Sequence, residues 1–176
     1  ISIVSGVEIS DIEKELGGGI YIMRAMPNIA VSILESMTCL AIKNNEKDVL
    51  ERAVNIFNSV GGTLIIDEEQ MVPATALGAC GIAFFLRAIR SASQGGIEIG
   101  FNSNDALKIA SQTARGAASL LLQKENHPEF EIDKVTTPRG CTISGLNEME
   151  HQGFSSAMIK GIIKSATKAA QLFQSE

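Results

Sequence analysis

Short apolar runs and helical patterns alternate along the first third of the chain. Apolar residues at helical spacing predict helices, and short continuous apolar runs bounded by turn residues predict strands. Strands are predicted at residues 1–4, 21–24, 37–42 and 63–66, and helices at residues 9–16 and 47–60. This order of elements is typical of the end of an α/β sheet domain, which we assign to residues 1–67.

From about Glu68 onward the pattern becomes helical throughout. Four helical stretches are predicted, at residues 68–93, 103–124, 142–153 and 155–173, and the first is expected to be interrupted by Pro73, Gly78 and Gly81. Gly95 and Gly96 are expected to end the first helix, and Asn102 or Ser103 is expected to cap the second. We therefore expect the second part of the chain to be all-α.

The segment Asn126-His-Pro128 is expected to be an irregular break, because proline ends helices. The helices contain many Ala and Gly residues, and aromatic residues make up only 5% of the chain, which predicts close packing between helices. Several of their faces are apolar and need a partner to bury them. We therefore expect a homodimer through residues 68–176, or a larger homo-oligomer.

Composition narrows the class of protein. The hydrophobic fraction of 45% is normal for a globular chain, and the net charge of −5 argues against nucleic-acid binding. No apolar run is expected to span a membrane, and no signal peptide is visible. The cysteine pattern is most simply that of a protein in a reducing cytoplasm, so a cytoplasmic protein is predicted. The chain begins with Ile1 inside an apolar run, so a preceding segment is expected. Three widely spaced cysteines predict neither a disulfide framework nor a metal site.

The segment of residues 135–146 holds the most informative local pattern. Pro138 and Gly140 predict a turn, and Thr142 is expected at or near the cap of the helix that follows. The N–H groups of residues 140–143 would then lack partners, and together with the helix dipole they favour a carboxylate. The alternative is an ordinary capped turn that binds nothing.

The same segment resembles a known family. Its spacing T-T-x-x-G-x-T-x-x-G-L-x-x-M-E is similar to the signature of pyrroline-5-carboxylate reductases, written around S-P-G-G-x-T. The matching residues are Thr136, Thr137, Pro138, Gly140, Thr142, Gly145, Leu146, Met149 and Glu150. Three other segments follow in family order, namely R-x-M-P-N at residues 24–28, E-x-H-P at residues 125–128 and G-F at residues 153–154.

The resemblance implies the architecture and the reaction. Residues 1–67 would be the remnant of a Rossmann-like dinucleotide-binding domain, and residues 68–176 an all-α helical dimerisation and substrate-binding domain. The family reduces 1-pyrroline-5-carboxylate to L-proline with NADPH or NADH, at a site built from a cofactor half and a substrate half. No G-x-G-x-x-G follows a strand in this chain, so the dinucleotide fingerprint and the residues that select the cofactor would lie upstream of Ile1.

The resemblance also implies roles for single residues. The Thr137 side chain and the N–H groups of Gly140, Cys141 and Thr142 would bind the substrate carboxylate. The Thr142 hydroxyl would reach the ring nitrogen and act as the catalytic group, which fits hydride transfer to a protonated C=N bond. Glu125 would brace the turn by hydrogen bonding; the alternative for Glu125 is a solvated carboxylate at a helix end.

Met26, Pro27 and Asn28 are expected near the nicotinamide, with a plain turn as the alternative. Arg139 stands where the family usually has glycine, and it either adds a cation for the substrate carboxylate or points to solvent. The second loop of the family, S-G-S-G-P-A-Y, is changed in this chain, which puts the hydrogen bonds of that loop in doubt. The changed positions are Gly78, Cys80, Ile82 and Phe84.

Two other functions remain open at the level of sequence. The chain could serve only as a helical association module, or the enzyme could reduce another cyclic imine or a β-hydroxyacid. The P-x-G-x-T turn favours the cyclic imine acid because it offers a carboxylate nest rather than a catalytic lysine. His127, His151 and Cys141 carry no partner pattern for acid–base or nucleophilic catalysis, so structural or surface roles are expected for them.

Overall fold

A small three-stranded sheet forms the first part of the protein in a computed structural model, which describes residues 1–17, 19–43 and 46–171. The strands are β1 (Met23–Met26), β2 (Ser36–Ile42) and β3 (Gly61–Ile65), in the order β1-β2-β3. Strand β2 is antiparallel to β1 and parallel to β3. The strand expected at residues 1–4 is reduced to a single parallel bridge between Ser2 and Arg24.

The first two helices lie where the apolar pattern predicts them. Helix α1 spans Ile9–Leu16 and α2 spans Lys47–Asn58, and a 3₁₀ turn at Ile29–Ile33 joins β1 to β2. Both predicted helices are confirmed, and the apolar face of α2 packs on the sheet. The end of α2 lies two residues earlier than expected, at the approach to β3.

Both faces of the sheet are covered, which explains why all four residues of β1 are buried. On one face Met23 and Ala25 pack with Leu40 and with Ala53 of α2. On the other face Met26 packs in a second cluster whose other buried members are Cys39, Ala41 and Met71. The period of two along β1 therefore assigns alternate side chains to different layers.

The long helix expected over residues 68–93 is interrupted. A 3₁₀ turn at Glu68–Gln70 leads into α3 (Met71–Ala74), a π-helical turn at Thr75–Ala79 and then α4 (Gly81–Glu98). The Asp67 side chain and the Gln70 side chain form a reciprocal capping box at the start of this run. The helical character of this segment and its expected interruption near Gly78 and Gly81 are therefore confirmed, whereas Pro73, also expected to interrupt it, lies inside α3.

The expected end of this helix at Gly95 and Gly96 is also wrong, because α4 continues to Glu98. A Cβ atom added at Gly96 would lie 3.1 Å from the Ala106 Cβ. The glycine therefore permits a close approach to the following helix, and packing overrides its low helix propensity.

The remaining helices are α5 (Ser103–Lys124), α6 (Pro128–Val135), α7 (Cys141–His151) and α8 (Phe154–Gln171). Helix α5 begins as predicted, with Asn102 as the cap that accepts the Asp105 N–H at 3.0 Å. Helix α6 was not predicted, because proline was taken as a helix breaker, whereas proline is well tolerated at the first helical position. Phe173, expected in the last helix, lies outside the described residues.

The chain forms two compact units. One contains residues 1–83 with the described part of residues 160–176, and the other contains residues 84–159. This division differs from the boundary between residues 67 and 68, which stays a prediction about domains.

Many large apolar side chains of the helical part are exposed, among them Phe85, Leu86, Ile109, Leu122 and Ile163. Contrary to the expectation from sequence, the helical run Glu68–Glu98 is long and apolar enough to cross a membrane by length and composition. A single run of this kind is weak evidence, since the core helix of a soluble protein passes the same test.

Candidate functional site

A tight turn precedes helix α7 at the segment predicted to hold the substrate. The Gly140 N–H donates to the Thr137 carbonyl at 2.9 Å, which closes a four-residue turn with Pro138 in its second position. Arg139, in the third position, has a φ of +59°. These are the features of a type II turn, in which the third position favours glycine. Arg139 therefore occupies a backbone conformation that suits the glycine usual in the family.

Gly140 has no room for a side chain. A Cβ atom there would lie 2.5 Å from the Thr137 Oγ1 and 3.0 Å from the Thr137 carbonyl oxygen. The first distance is closer than real Cβ atoms come to a neighbour and the second is tight, so a side chain at this position would displace Thr137. The Thr137 hydroxyl consequently lies directly beside the start of α7.

The start of α7 leaves donors free. Gly140 is the residue before the helix and no side chain caps it, so Thr142 is the second helical residue rather than the expected cap. Across the described chain, the N–H groups of Cys141, Thr142 and Ile143 donate to no backbone or side-chain acceptor. The N–H of Gly140 is used within the turn, which corrects the expectation that it is free.

The side chains on this helix start are accessible. Thr137, Arg139, Cys141 and Thr142 are all exposed, and Gly140 is half-buried. The first turn of a helix with free N–H groups attracts an anion through those donors and through the helix dipole. The arrangement can therefore hold a carboxylate.

The turn is anchored at its other end to helix α6. The Thr136 hydroxyl donates to the Ile132 carbonyl at 2.8 Å, and the Thr136 N–H donates to the Asp133 carbonyl at 3.2 Å. These two bonds end α6 and fix the point at which the chain enters the turn. The first threonine of the T-T pair is thus structural, which leaves the second available for a ligand.

Glu125 makes no hydrogen bond to the turn within the described residues. Its backbone ends α5 in the left-handed conformation, with a φ of +54°, and its N–H donates to the Leu121 carbonyl. The bracing contact expected of its side chain is therefore not formed in this structure. A substrate role for Glu125 stays a prediction.

The carboxylate of Glu131, in helix α6, accepts two side-chain hydrogen bonds. The Asn126 amide donates to it at 2.6 Å and the Lys134 ammonium at 2.7 Å. These bonds, the one from Lys134 first, lower the pKa of Glu131. Sequence reasoning missed this cluster, and recognising Pro128 as a first helical residue would have revealed the Glu131 and Lys134 pair on one helix face.

The other titratable candidates take structural roles. His127 caps α6 by accepting the Glu129 N–H on its Nδ1 at 3.3 Å. Cys39 is buried in the sheet, and burial raises the pKa of its thiol, so it is an unreactive core residue. The capping role of His127 agrees with the structural or surface role expected from sequence.

The predicted cofactor edge, residues 26–28, is built differently from the turn. Met26 is 7% exposed and its side chain lies in the core. The Asn28 side-chain oxygen accepts the Ala30 N–H at 3.0 Å, and its amide donates to the Gly78 carbonyl at 3.3 Å. The Asn28 N–H donates to the Ser36 hydroxyl at 3.1 Å. The local bonding of Asn28 is that of the alternative, a plain turn, and the expected place of residues 26–28 near the nicotinamide stays a prediction. Pro27 is the member of the three with no such bond.

A shallow apolar recess of about 430 Å³ lies on the sheet unit. Its lining includes Tyr21, Met23, Arg52 and Ile56. None of the predicted site residues lines it, so it does not enlarge the candidate site.

Comparison with known proteins gives one family. The model of the family described as pyrroline-5-carboxylate reductase dimerisation matches residues 68–172. The chain is 58% identical to pyrroline-5-carboxylate reductase 1 of Dictyostelium discoideum over 98% of its own length, but it spans only 34% of the length of that relative.

Two solved structures share the fold. A pyrroline-5-carboxylate reductase from Coxiella burnetii has a TM-score of 0.92 at 27% identity, covering 97% of this chain and 64% of that one. A Plasmodium falciparum pyrroline carboxylate reductase solved with NADP bound has a TM-score of 0.85 at 24% identity, covering 95% of this chain and 68% of that one.

Proposed function

Because the chain belongs to the pyrroline-5-carboxylate reductase family, we propose that the complete enzyme reduces 1-pyrroline-5-carboxylate to L-proline with NADPH or NADH. This reaction is the last step of proline biosynthesis. The observation that carries the proposal is the start of α7, where free N–H groups and the Thr142 hydroxyl meet at an exposed turn. The NADP bound in the Plasmodium falciparum structure supports a nicotinamide dinucleotide as the cofactor.

In this proposal the substrate carboxylate binds at the first turn of α7. The donors are the N–H groups of Cys141, Thr142 and Ile143 and the Thr137 hydroxyl, while Gly140 shapes the turn without donating. A carboxylate at a helix start gains from both the hydrogen bonds and the helix dipole. Arg139 adds positive charge beside the same turn.

Thr142 is the proposed catalytic residue. Its hydroxyl would hold the ring nitrogen and orient the C=N bond, whose protonated form accepts hydride most readily. The nicotinamide cofactor supplies that hydride when it is bound. The residues of the cofactor edge fit a contact with its nicotinamide end through Pro27 and the backbone, since Met26 and Asn28 are engaged within the protein.

The proposed assembly is a homodimer formed through the helical domain, with a larger homo-oligomer as the alternative, in the cytoplasm. Exposed apolar side chains such as Leu122, at 82%, support it because a stable chain rarely leaves so many of them in water. The match to a dimerisation family covers the same helices. Helical association alone is the second candidate function, and oxidation of NADPH by the complete enzyme in the presence of pyrroline-5-carboxylate separates the two, since an association module would not catalyse it.

The test is the Thr142→Ala variant of the complete enzyme. We expect kcat/KM for pyrroline-5-carboxylate to fall by about a hundredfold, because a positioned proton-handling group contributes on this scale. The Thr142→Ser variant keeps the hydroxyl and should retain most of the activity. Thr167→Ala, which changes an exposed helical threonine of α8, is the matched control. Unchanged turnover and substrate affinity in Thr142→Ala would refute the assignment.

A further inference from the structure

Alternate residues of the R-x-M-P-N motif point toward one layer of the structure. Side chains two positions apart in an extended chain lie on the same side. Arg24 and Met26 belong to β1, and Asn28 continues in an extended conformation, with φ −125° and ψ 174°. Met23 and Ala25 face the opposite layer, where they pack near Ala53 of α2.

All three alternate residues reach residues 68–79, at the beginning of the helical run. The Arg24 guanidinium donates to the Glu68 Oε1 at 3.1 Å, and Met26 shares a core cluster with Met71. The Asn28 amide donates to the Gly78 carbonyl at 3.3 Å. We call Arg24, Met26 and Asn28 the docking strip, because each successive member meets a later part of the same segment.

The first contact of the strip joins three elements. The Glu68 Oε1 that pairs with Arg24 also accepts the Ile9 N–H at 2.7 Å, at the start of α1. Arg24 is 5% exposed, so its charge depends on this partner. Strand β1, helix α1 and the helical run are therefore tied together by one carboxylate.

The last contact of the strip lies at the π-helical turn. The Cys80 N–H donates to the Thr75 carbonyl at 2.9 Å, which is the wide hydrogen bond that defines this turn. Turns of this kind occur often at functional sites. Asn28 binds the main chain of Gly78, so this link survives the loss of the serine that the family usually carries at that position.

We propose that the docking strip positions the cofactor edge by tying it to residues 68–79, and that Met26 and Asn28 are positioning residues rather than cofactor ligands. This inference rests on the proposed function. Asn28 uses its side-chain oxygen, an amide hydrogen and its backbone N–H within the protein, and Met26 is in the core. Pro27, between them, is left as the residue that meets the nicotinamide.

The experiment compares Asn28→Ser with wild type in the complete enzyme, free of cofactor. Serine keeps a side-chain acceptor for the Ala30 N–H and removes the donor to Gly78. We expect faster amide hydrogen exchange in residues 75–83 and NADPH binding weakened by roughly tenfold, because the edge is displaced. Asn55→Ser, at an exposed position of α2, is the matched control and should change neither property.

Each outcome decides the proposal. Weakened NADPH binding with unchanged exchange means a direct cofactor contact and overturns it, and faster exchange with unchanged NADPH binding overturns it as well. If Asn28→Ser does not fold, Asn28→Asp, which keeps the acceptor and lacks the donor, is measured in the same two ways. A wild-type enzyme that binds NADPH but does not reduce pyrroline-5-carboxylate would remove the proposed function and leave the positioning result standing.

Discussion

The predicted cofactor edge and the predicted substrate turn differ in whether their polar groups have hydrogen-bond partners within the protein. At residues 26–28 the Asn28 groups are bonded to the protein, and Met26 is buried. At residues 137–142 the first N–H groups of α7 have no acceptor within the described chain, and the Thr142 hydroxyl is exposed. Two motifs that look equally distinctive in sequence thus differ in whether their polar groups are bonded within the protein.

The difference indicates how a positioning role or a binding role can be assigned to a motif residue. A polar group whose bonds are satisfied inside the protein contributes by holding the backbone, since a ligand would first have to break those bonds. A polar group left free at a helix start is available to a ligand at no such cost. On this ground the proposed positioning residues of the edge are separated from the proposed binding residues of the turn.

The largest effect is expected from Glu68→Met, which removes the partner of Arg24 in the docking strip. Removing the carboxylate leaves the buried Arg24 charge without its partner, which should lower the free energy of unfolding by about 3 kcal/mol. The matched control is Glu13→Met, which breaks the exposed Lys43–Glu13 pair and should cost less than about 1 kcal/mol. Urea unfolding of both variants measures this, and equal losses would show that the Arg24 contact has no special role.

The next effect is expected on the turn, from Gly140→Ala. The new Cβ atom would collide with Thr137, so the turn must shift and the KM for pyrroline-5-carboxylate should rise by at least about tenfold. Gly145→Ala is the control, since a Cβ atom at Gly145 meets nothing within 4 Å and alanine favours the helix. Steady-state kinetics decide the matter: an unchanged KM in Gly140→Ala would mean that the turn does not bind substrate.

A smaller effect is expected from Arg139→Gly. Glycine adopts the positive φ of this position without strain, so the variant should be more stable by about 1 kcal/mol in thermal unfolding. Leu34→Gly relieves a similar φ of +61° elsewhere and should stabilise the protein to a similar degree. The KM for substrate separates the two roles of Arg139, because it rises in Arg139→Gly only if the guanidinium binds the carboxylate.

The smallest effect is expected from the Glu131 cluster beside the turn. Its lowered pKa means that ionised Glu131 stabilises the folded state above the ordinary value of 4.5, and that this contribution is lost as the pH falls through the lowered pKa. Glu131→Gln should therefore be less stable than wild type at neutral pH and converge with it in acid. Urea unfolding across this pH range tests it, with Glu129→Gln as the control, and a constant gap would exclude the charge of Glu131 as the cause.

Local sequence signals predicted those helix ends that are set by capping residues and by amphipathic spacing. Helix α1 is confirmed at both ends, and α5 begins at the Asn102 cap, because caps and amphipathic spacing act over only a few residues. Gly96 and Pro128 misled the prediction. A glycine inside α4 is retained for its contact with Ala106, and proline opens α6 rather than ending a helix.

The sequence by itself determined the family, the two kinds of architecture and the turn that precedes α7, since these follow from spacing and backbone propensity. Only the tertiary structure decided which polar groups are free, because hydrogen bonds between distant residues such as Asn28 and Gly78 leave no periodic trace in the sequence. Likewise, only the folded structure shows that the Gly140 N–H donates within the turn. Whether a motif residue binds or positions therefore depends on partners that only the folded chain brings together.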